Sequence, residues 1–170
     1  MRQCIAETAK PLEKKETEQT EALKKALRTW EVRRDTSRMD SSTRVFLALE
    51  SDDEVEIGYG RRERPILWLR CIENTTAAII NADWYLDASI SVQFRVGDEK
   101  PVAQTWTPST DRKAAGLWDG ARAIPFIKSL LGKKALLVRL STYNQGAKEM
   151  AFNIEGLDRV IDPLRTACKW

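Results

Sequence analysis

Arg70, Arg95 and Arg139 each take a polar position within a run whose alternate residues are apolar. Guanidinium groups projecting from strands in this way can line one face and grip a carboxylate or phosphate through paired N–H donors. The competing expectation is that they pair with the chain's own Asp and Glu. Trp68, Trp84, Trp106 and Trp118 offer an aromatic surface for a partner or a sugar, or else fill the core and its rim. Asp40, followed by Ser41 and Ser42, forms a polar cluster that either faces a ligand or caps the entry to a strand. Arg61, Arg62 and Arg64 beside Tyr59 make a basic loop, suited to an anionic surface or simply to water.

Catalytic chemistry is harder to assemble. The chain has 0 histidines, which removes the commonest general base and the commonest metal ligand. Asp83 and Asp87 flank Trp84 and Tyr85, a spacing typical of turns. No Gly-x-Ser-x-Gly, Cys-x-x-Cys or phosphate-cradling glycine loop occurs. A serine–lysine nucleophile pair stays open, since its members need not be neighbours. The expectation is a protein that is not an enzyme, with no catalytic residues, no cofactor and no metal. A net charge of +3, evenly spread, points away from nucleic acid. No apolar run approaches the roughly 20 residues that span a bilayer as a helix.

Cysteine usage bears on compartment. Leu157, Val160, Ile161, Leu164 and Cys168 share one helical stripe, so Cys168 points where the apolar side chains point. Leu67, Leu69 and Cys71 share one strand face. The two sulfurs read as a disulfide fastening a terminal helix to a sheet; the alternative is a pair of reduced, buried thiols. Cys4, the remaining one of 3 cysteines, has no obvious partner and is expected to be a mobile thiol. No apolar leader follows Met1. Either the protein stays inside the cell, or an export leader was removed and Met1 was added for expression.

These side chains need a scaffold of 170 residues, enough for one domain with an appendage. Residues 10–34 are charged, with Leu23, Leu27 and Trp30 at helical spacing, so residues 1–34 are read as a helical segment and 35–170 as a single β-rich domain. Trp30 to Ser42 reads as a polar connector. Strands are expected over 44–50, 66–72, 76–82, 90–96, 102–107, 134–140 and around Met150, Phe152 and Ile154, with a hairpin tip within 52–64. Ile124, Ile127, Leu130 and Leu131 mark a helix over 121–131, and a closing helix begins after Gly156, with Pro163 kinking it or restarting it behind Asp162. Strand follows strand too closely for parallel crossovers. The fold class is α+β, mainly antiparallel, either sandwich-like or a strongly curved sheet.

Several separated pieces together resemble one family. They are Trp30 followed by Ser37–Arg38–Met39–Asp40–Ser41–Ser42, the strand ending Leu69–Arg70–Cys71, and Phe94–Arg95–Val96 leading to Trp106. To these are added Pro125–Phe126–Ile127 and the ending Phe152, Gly156–Leu157, Pro163–Leu164–Arg165 and Ala167–Cys168–Lys169–Trp170. Over about residues 30–170 the chain resembles the VasI/TagO family, accessory proteins associated with bacterial type VI secretion. The resemblance implies export to the periplasm, no established catalytic activity and a place beside a secretion machine. It also supports the Cys71–Cys168 pairing. Relatives commonly carry two cysteines near the start, the second in an Arg-Leu-x-Cys-Tyr-Asp-like sequence; here Cys4 stands alone.

The expectation is therefore a periplasmic accessory or adaptor protein of a type VI secretion apparatus, acting by protein–protein contact. Asp40, Arg70, Arg95, Trp106 and Arg139 are its expected contacts with a partner or ligand. A module that binds cell-wall glycan or an anionic envelope component is the second expectation, and a cell-wall hydrolase the third.

Overall fold

A computed structural model describes residues 29–170 of the chain. The elements in order are β1 (Glu31–Thr36), β2 (Thr43–Glu50), β3 (Val55–Gly58), β4 (Arg61–Glu63), β5 (Ile66–Ile72), β6 (Thr75–Asn81), β7 (Ile90–Val96), β8 (Val102–Pro108) and β9 (Ala114–Leu117). Helix α1 (Gly120–Leu130) follows, then β10 (Ala135–Thr142), β11 (Gly146–Asn153), α2 (Leu157–Val160) and α3 (Asp162–Cys168). Nine strands form one sheet in the order β1-β2-β5-β6-β9-β8-β7-β10-β11, and β3 pairs with β4 as a separate hairpin. Every pairing is antiparallel.

Period-two alternation decides which face turns inward. In β2 the inward residues are Val45, Leu47 and Leu49, and in β5 they are Leu67, Leu69 and Cys71. Register sets these side by side, Leu47 opposite Leu69 and Leu69 opposite Ala78. On the far half Ile90, Val92 and Val96 face Leu136, Val138, Leu140, Met150 and Phe152 within the same core. Each fully buried Leu or Ile contributes about 1.5–3 kcal/mol relative to exposure. The sheet curls until its two ends meet: the Asp52 N–H donates to the Ala151 carbonyl at 2.7 Å, and the Ala151 N–H donates to Asp53 Oδ2 at 2.9 Å. The expected strong curvature is thus present.

Helix α1 is capped by Asp119, whose carboxylate accepts from the Arg122 N–H at 3.0 Å. Pro125 lies inside the helix, in its second turn, and so removes the N–H that would otherwise bond the Ala121 carbonyl. The buried face is Ala123, Phe126, Ile127 and Leu130, so Ile124 and Leu131 lie at its margin. The expected face was rotated because Phe126 meets Phe94 and Trp106 edge-on, at centroid distances of 5.1 and 5.3 Å.

The closing helix is two pieces. Pro163 lacks an N–H to continue α2, so the chain restarts as α3 with Ile161, not Asp162, at the cap. Leu157, Ile161, Leu164 and Cys168 are buried along one stripe, as their spacing requires. Helix α3 packs on β2 and β5, and Cys168 is bonded to Cys71 with Cα atoms 5.8 Å apart. Two expectations need correction. Residues 31–34 are strand and not helix, and the connector expected from Trp30 to Ser42 contains the whole of β1. All six residues of β1 are exposed, so this edge strand is held by its ladder to β2 and carries no hydrophobic period. The remainder of the expected N-terminal helix, and Cys4, lie outside the described residues.

Candidate functional site

The outward face of β5 carries Ile66, Trp68, Arg70 and Ile72, and all four are half-buried where a plain solvent face would leave them open. Around Trp68 and Arg70 lies a second, smaller apolar layer. Ala77 and Ile79 of β6 and Ala114 of β9 form its floor, with Trp68 and Trp118 packed on top. Register places Trp68 opposite Ile79 and Ile79 opposite Gly116, while Phe46, Arg70 and Ala77 form the adjoining row.

Gly116 is what lets Trp118 lie down. A Cβ there would sit 2.5 Å from Cε2 of the indole, closer than any side chain tolerates. The same indole donates its Nε1–H to the Thr107 carbonyl at 2.9 Å. Ring plane and ring edge are both fixed, so the aromatic wall is preformed.

Two cations stand on these rings. The Arg70 guanidinium carbon is 5.4 Å from the Trp118 ring centroid, and that of Arg33 is 6.0 Å from Trp68. Arg33 is balanced by Glu31 at 2.7 Å. Arg70 has no carboxylate partner among the described residues. Partial burial holds its pKa below the usual arginine value, with no neighbouring acid to oppose that effect. Between the rings and cations lies a groove of about 610 Å³, bordered by Asn81, Ser109 and Asp111. The Asp111 carboxylate accepts from the Ser109 hydroxyl at 2.6 Å and from the Lys113 N–H, and these bonds keep it more acidic than usual.

Over residues 2–170 the chain matches the family model described as type VI secretion system VasI, EvfG, VC_A0118. The chain belongs to the VasI family. Comparison with curated proteins and with solved structures gives no match.

In this VasI protein the closing Ala167–Cys168–Lys169–Trp170 has a structural meaning. Cys168 carries the bridge, Lys169 turns the chain at φ 56°, and the Trp170 Nε1–H donates to the Thr76 hydroxyl oxygen at 2.9 Å. Lys128 of α1 and Arg165 of α3 both stand over the Trp170 ring, at 5.7 and 5.5 Å.

Of the expected contact residues, the VasI fold brings only Arg70 to the groove. Arg95 and Arg139 share the outward face of β7 and β10, but β7 is four strands from β5, about 19 Å along the sheet. Arg139 donates from both Nε and Nη2 to the single oxygen Oε2 of Glu149, at 3.0 and 2.7 Å. Trp106 is 0% exposed and its Nε1–H donates to Gln104 Oε1, so it is a core residue. Trp84 is likewise buried. Asp40 accepts from the Ser42 N–H at 3.1 Å and the Ser42 hydroxyl at 2.8 Å within the β1–β2 turn. Bonds from the Ser37 and Ser42 side chains, in that order of weight, lower its pKa to about 2.

The basic loop finds partners within the chain: Arg61 reaches Asp83 at 3.0 Å, Arg62 donates to the Glu54 carbonyl, and Arg64 donates to that of Asp52. Asp83 accepts from Lys113 as well, and the two cations hold its carboxyl below the usual range. Arg33 and Gly116 were missed, while Trp118 had been grouped with Trp68, Trp84 and Trp106 as surface or core; the glycine two positions before it was the available sign of where its ring lies.

Proposed function

We propose that this VasI-family protein is a periplasmic accessory or adaptor of a type VI secretion apparatus, and that it acts by protein–protein contact without catalysing a reaction. The observation that carries the reading is the family match over residues 2–170. The Cys71–Cys168 bridge supports an envelope address, since such bonds persist where the surroundings are oxidising. A preformed aromatic groove with a cation that meets no acid supports a contact role, because its rings and guanidinium groups bind and orient, while the hydroxyl–carboxylate pair on its border, Ser109 with Asp111, closes a turn in which the same hydroxyl accepts the Ala114 N–H. The outward arginine of β5 is the sequence-derived contact that fits this role.

Deletion of the gene in a secreting host, with effector release and cell fractionation as readouts, tests the proposal. Effector release is expected to fall and to recover on complementation, with the protein in the periplasmic fraction in its bridged form. Normal release without the protein, or complementation by a form confined to the cytoplasm, would overturn it.

A further inference from the structure

We propose that the groove across β1, β2, β5, β6 and β9 takes an extended peptide segment of the partner, in which a carboxylate sits beside an aromatic or large aliphatic side chain, with the carboxylate on Arg70. This rests on the adaptor reading and deepens it by naming the chemistry of the docked segment.

Arg33, Arg61, Arg62, Arg64, Arg122 and Arg139 each reach a carboxylate of this chain. Arg34 and Arg95 share with Arg70 the lack of such a partner, but both are exposed. Arg70 instead rests on Trp118, has lost part of its hydration, and meets no acid among the described residues. A stacked guanidinium keeps its N–H edge free, and that edge matches a carboxylate bidentately. Ile79, Phe46 and the tryptophan edges supply the apolar contact beside it. The ring under Arg70 is already locked by Gly116 and Thr107, so little side-chain freedom remains to be lost on binding.

Length and charge favour a peptide over other envelope ligands. Five adjacent strands span about 19 Å, room for five or six extended residues. Asn81 on the border offers hydrogen bonds to a peptide backbone. Asp35 and Asp111 lie on the same border and would repel a polyanionic bilayer or teichoic-type polymer while sparing a single carboxylate. A neutral sugar would leave the Arg70 cation unanswered, and guanidinium groups already stand over the two indoles it would stack on.

The test uses the whole chain and tryptophan fluorescence, titrated with the blocked peptide acetyl-Gly-Phe-Glu-Gly-amide, its Gln counterpart, phosphatidylglycerol vesicles and soluble peptidoglycan fragments. The Glu peptide should bind saturably and the Gln peptide about tenfold or more weakly, the loss expected for a charge-assisted pair. Arg70→Gln should lose the Glu peptide to the same degree, Arg70→Lys should fall between, and Arg95→Gln should bind as the parent does. Circular dichroism checks that each variant is folded. Equal affinity for the two peptides, undiminished binding by Arg70→Gln, no Glu-peptide binding at millimolar concentration, or preferential binding of vesicles or glycan would overturn the proposal. In cells, Arg70→Gln should reduce effector release. Release unchanged by Arg70→Gln but lost on deletion would sink this docking site and leave the adaptor role standing; release unchanged by deletion would sink the role itself.

Discussion

Reducing the Cys71–Cys168 bridge changes one covalent bond and leaves every side chain in the chain, so its cost can be worked from the loop it closes. The cysteines are 97 residues apart in sequence. Loop-closure entropy for that length corresponds to about 4.7 kcal/mol of stabilisation lost on reduction. Domains of ordinary stability have about 5–15 kcal/mol in total, so the reduced protein should keep between almost none and two thirds of it. With a urea slope of about 2 kcal/mol per molar, the midpoint should fall by about 2 M.

The assay is urea unfolding followed by far-ultraviolet circular dichroism, oxidised and reduced samples side by side. Thiol titration in denaturant provides the control: of the 3 cysteines one should react before reduction and all after it. A midpoint shift equivalent to less than about 1 kcal/mol would refute the loop-entropy reasoning. Two additional reactive thiols in the oxidised protein would refute the bridge itself.

Trp170→Phe should cost about 1–2 kcal/mol in the same unfolding assay, because the Thr76 hydroxyl is 1% exposed and loses its indole donor. Gly116→Ala forces Trp118 off the sheet; a loss of about 1–3 kcal/mol is expected, together with displacement of the Trp118 indole N–H resonance. An unmoved resonance would contradict the contact. Asp40 has a folded pKa of about 2 against an ordinary 3.8, so its contribution is full above the ordinary value and disappears as pH falls from about 4 to about 2. Asp40→Asn should flatten the acid side of the stability profile in that window, and carboxyl chemical shifts titrated by NMR report the value directly.

The sequence was most readable where one face of an element is dry. β5 and β7 fall on their expected limits because Leu67, Leu69 and Cys71, and Ile90, Val92 and Val96, alternate with outward residues. The terminal stripe ending in Cys168 was readable for the same reason. β1 was not, since all six of its residues meet water and its partner's backbone alone holds it. β9 was missed because Ala114–Ala115–Gly116–Leu117 has neither β-branched nor aromatic residues, although all four are buried. For the site, period two correctly turned Arg70 outward. It carried no information on strand order, and that order separates Arg70 from Arg95 and Arg139 while gathering Trp68, Trp118 and Arg33 around it.

The bridge also dictates how the molecule responds to load. A pull applied between residue 29 and Trp170 is transmitted from Cys71 to Cys168 through sulfur, and the chain between them, a separation of 97 residues, bears no tension. About 330 Å of contour is thereby withheld from extension. Of the described chain only the stretch from residue 29 to Cys71, β1 through β5, and the last two residues could pay out under such a force, and a thiol reductant would convert the rest from an inextensible block into slack.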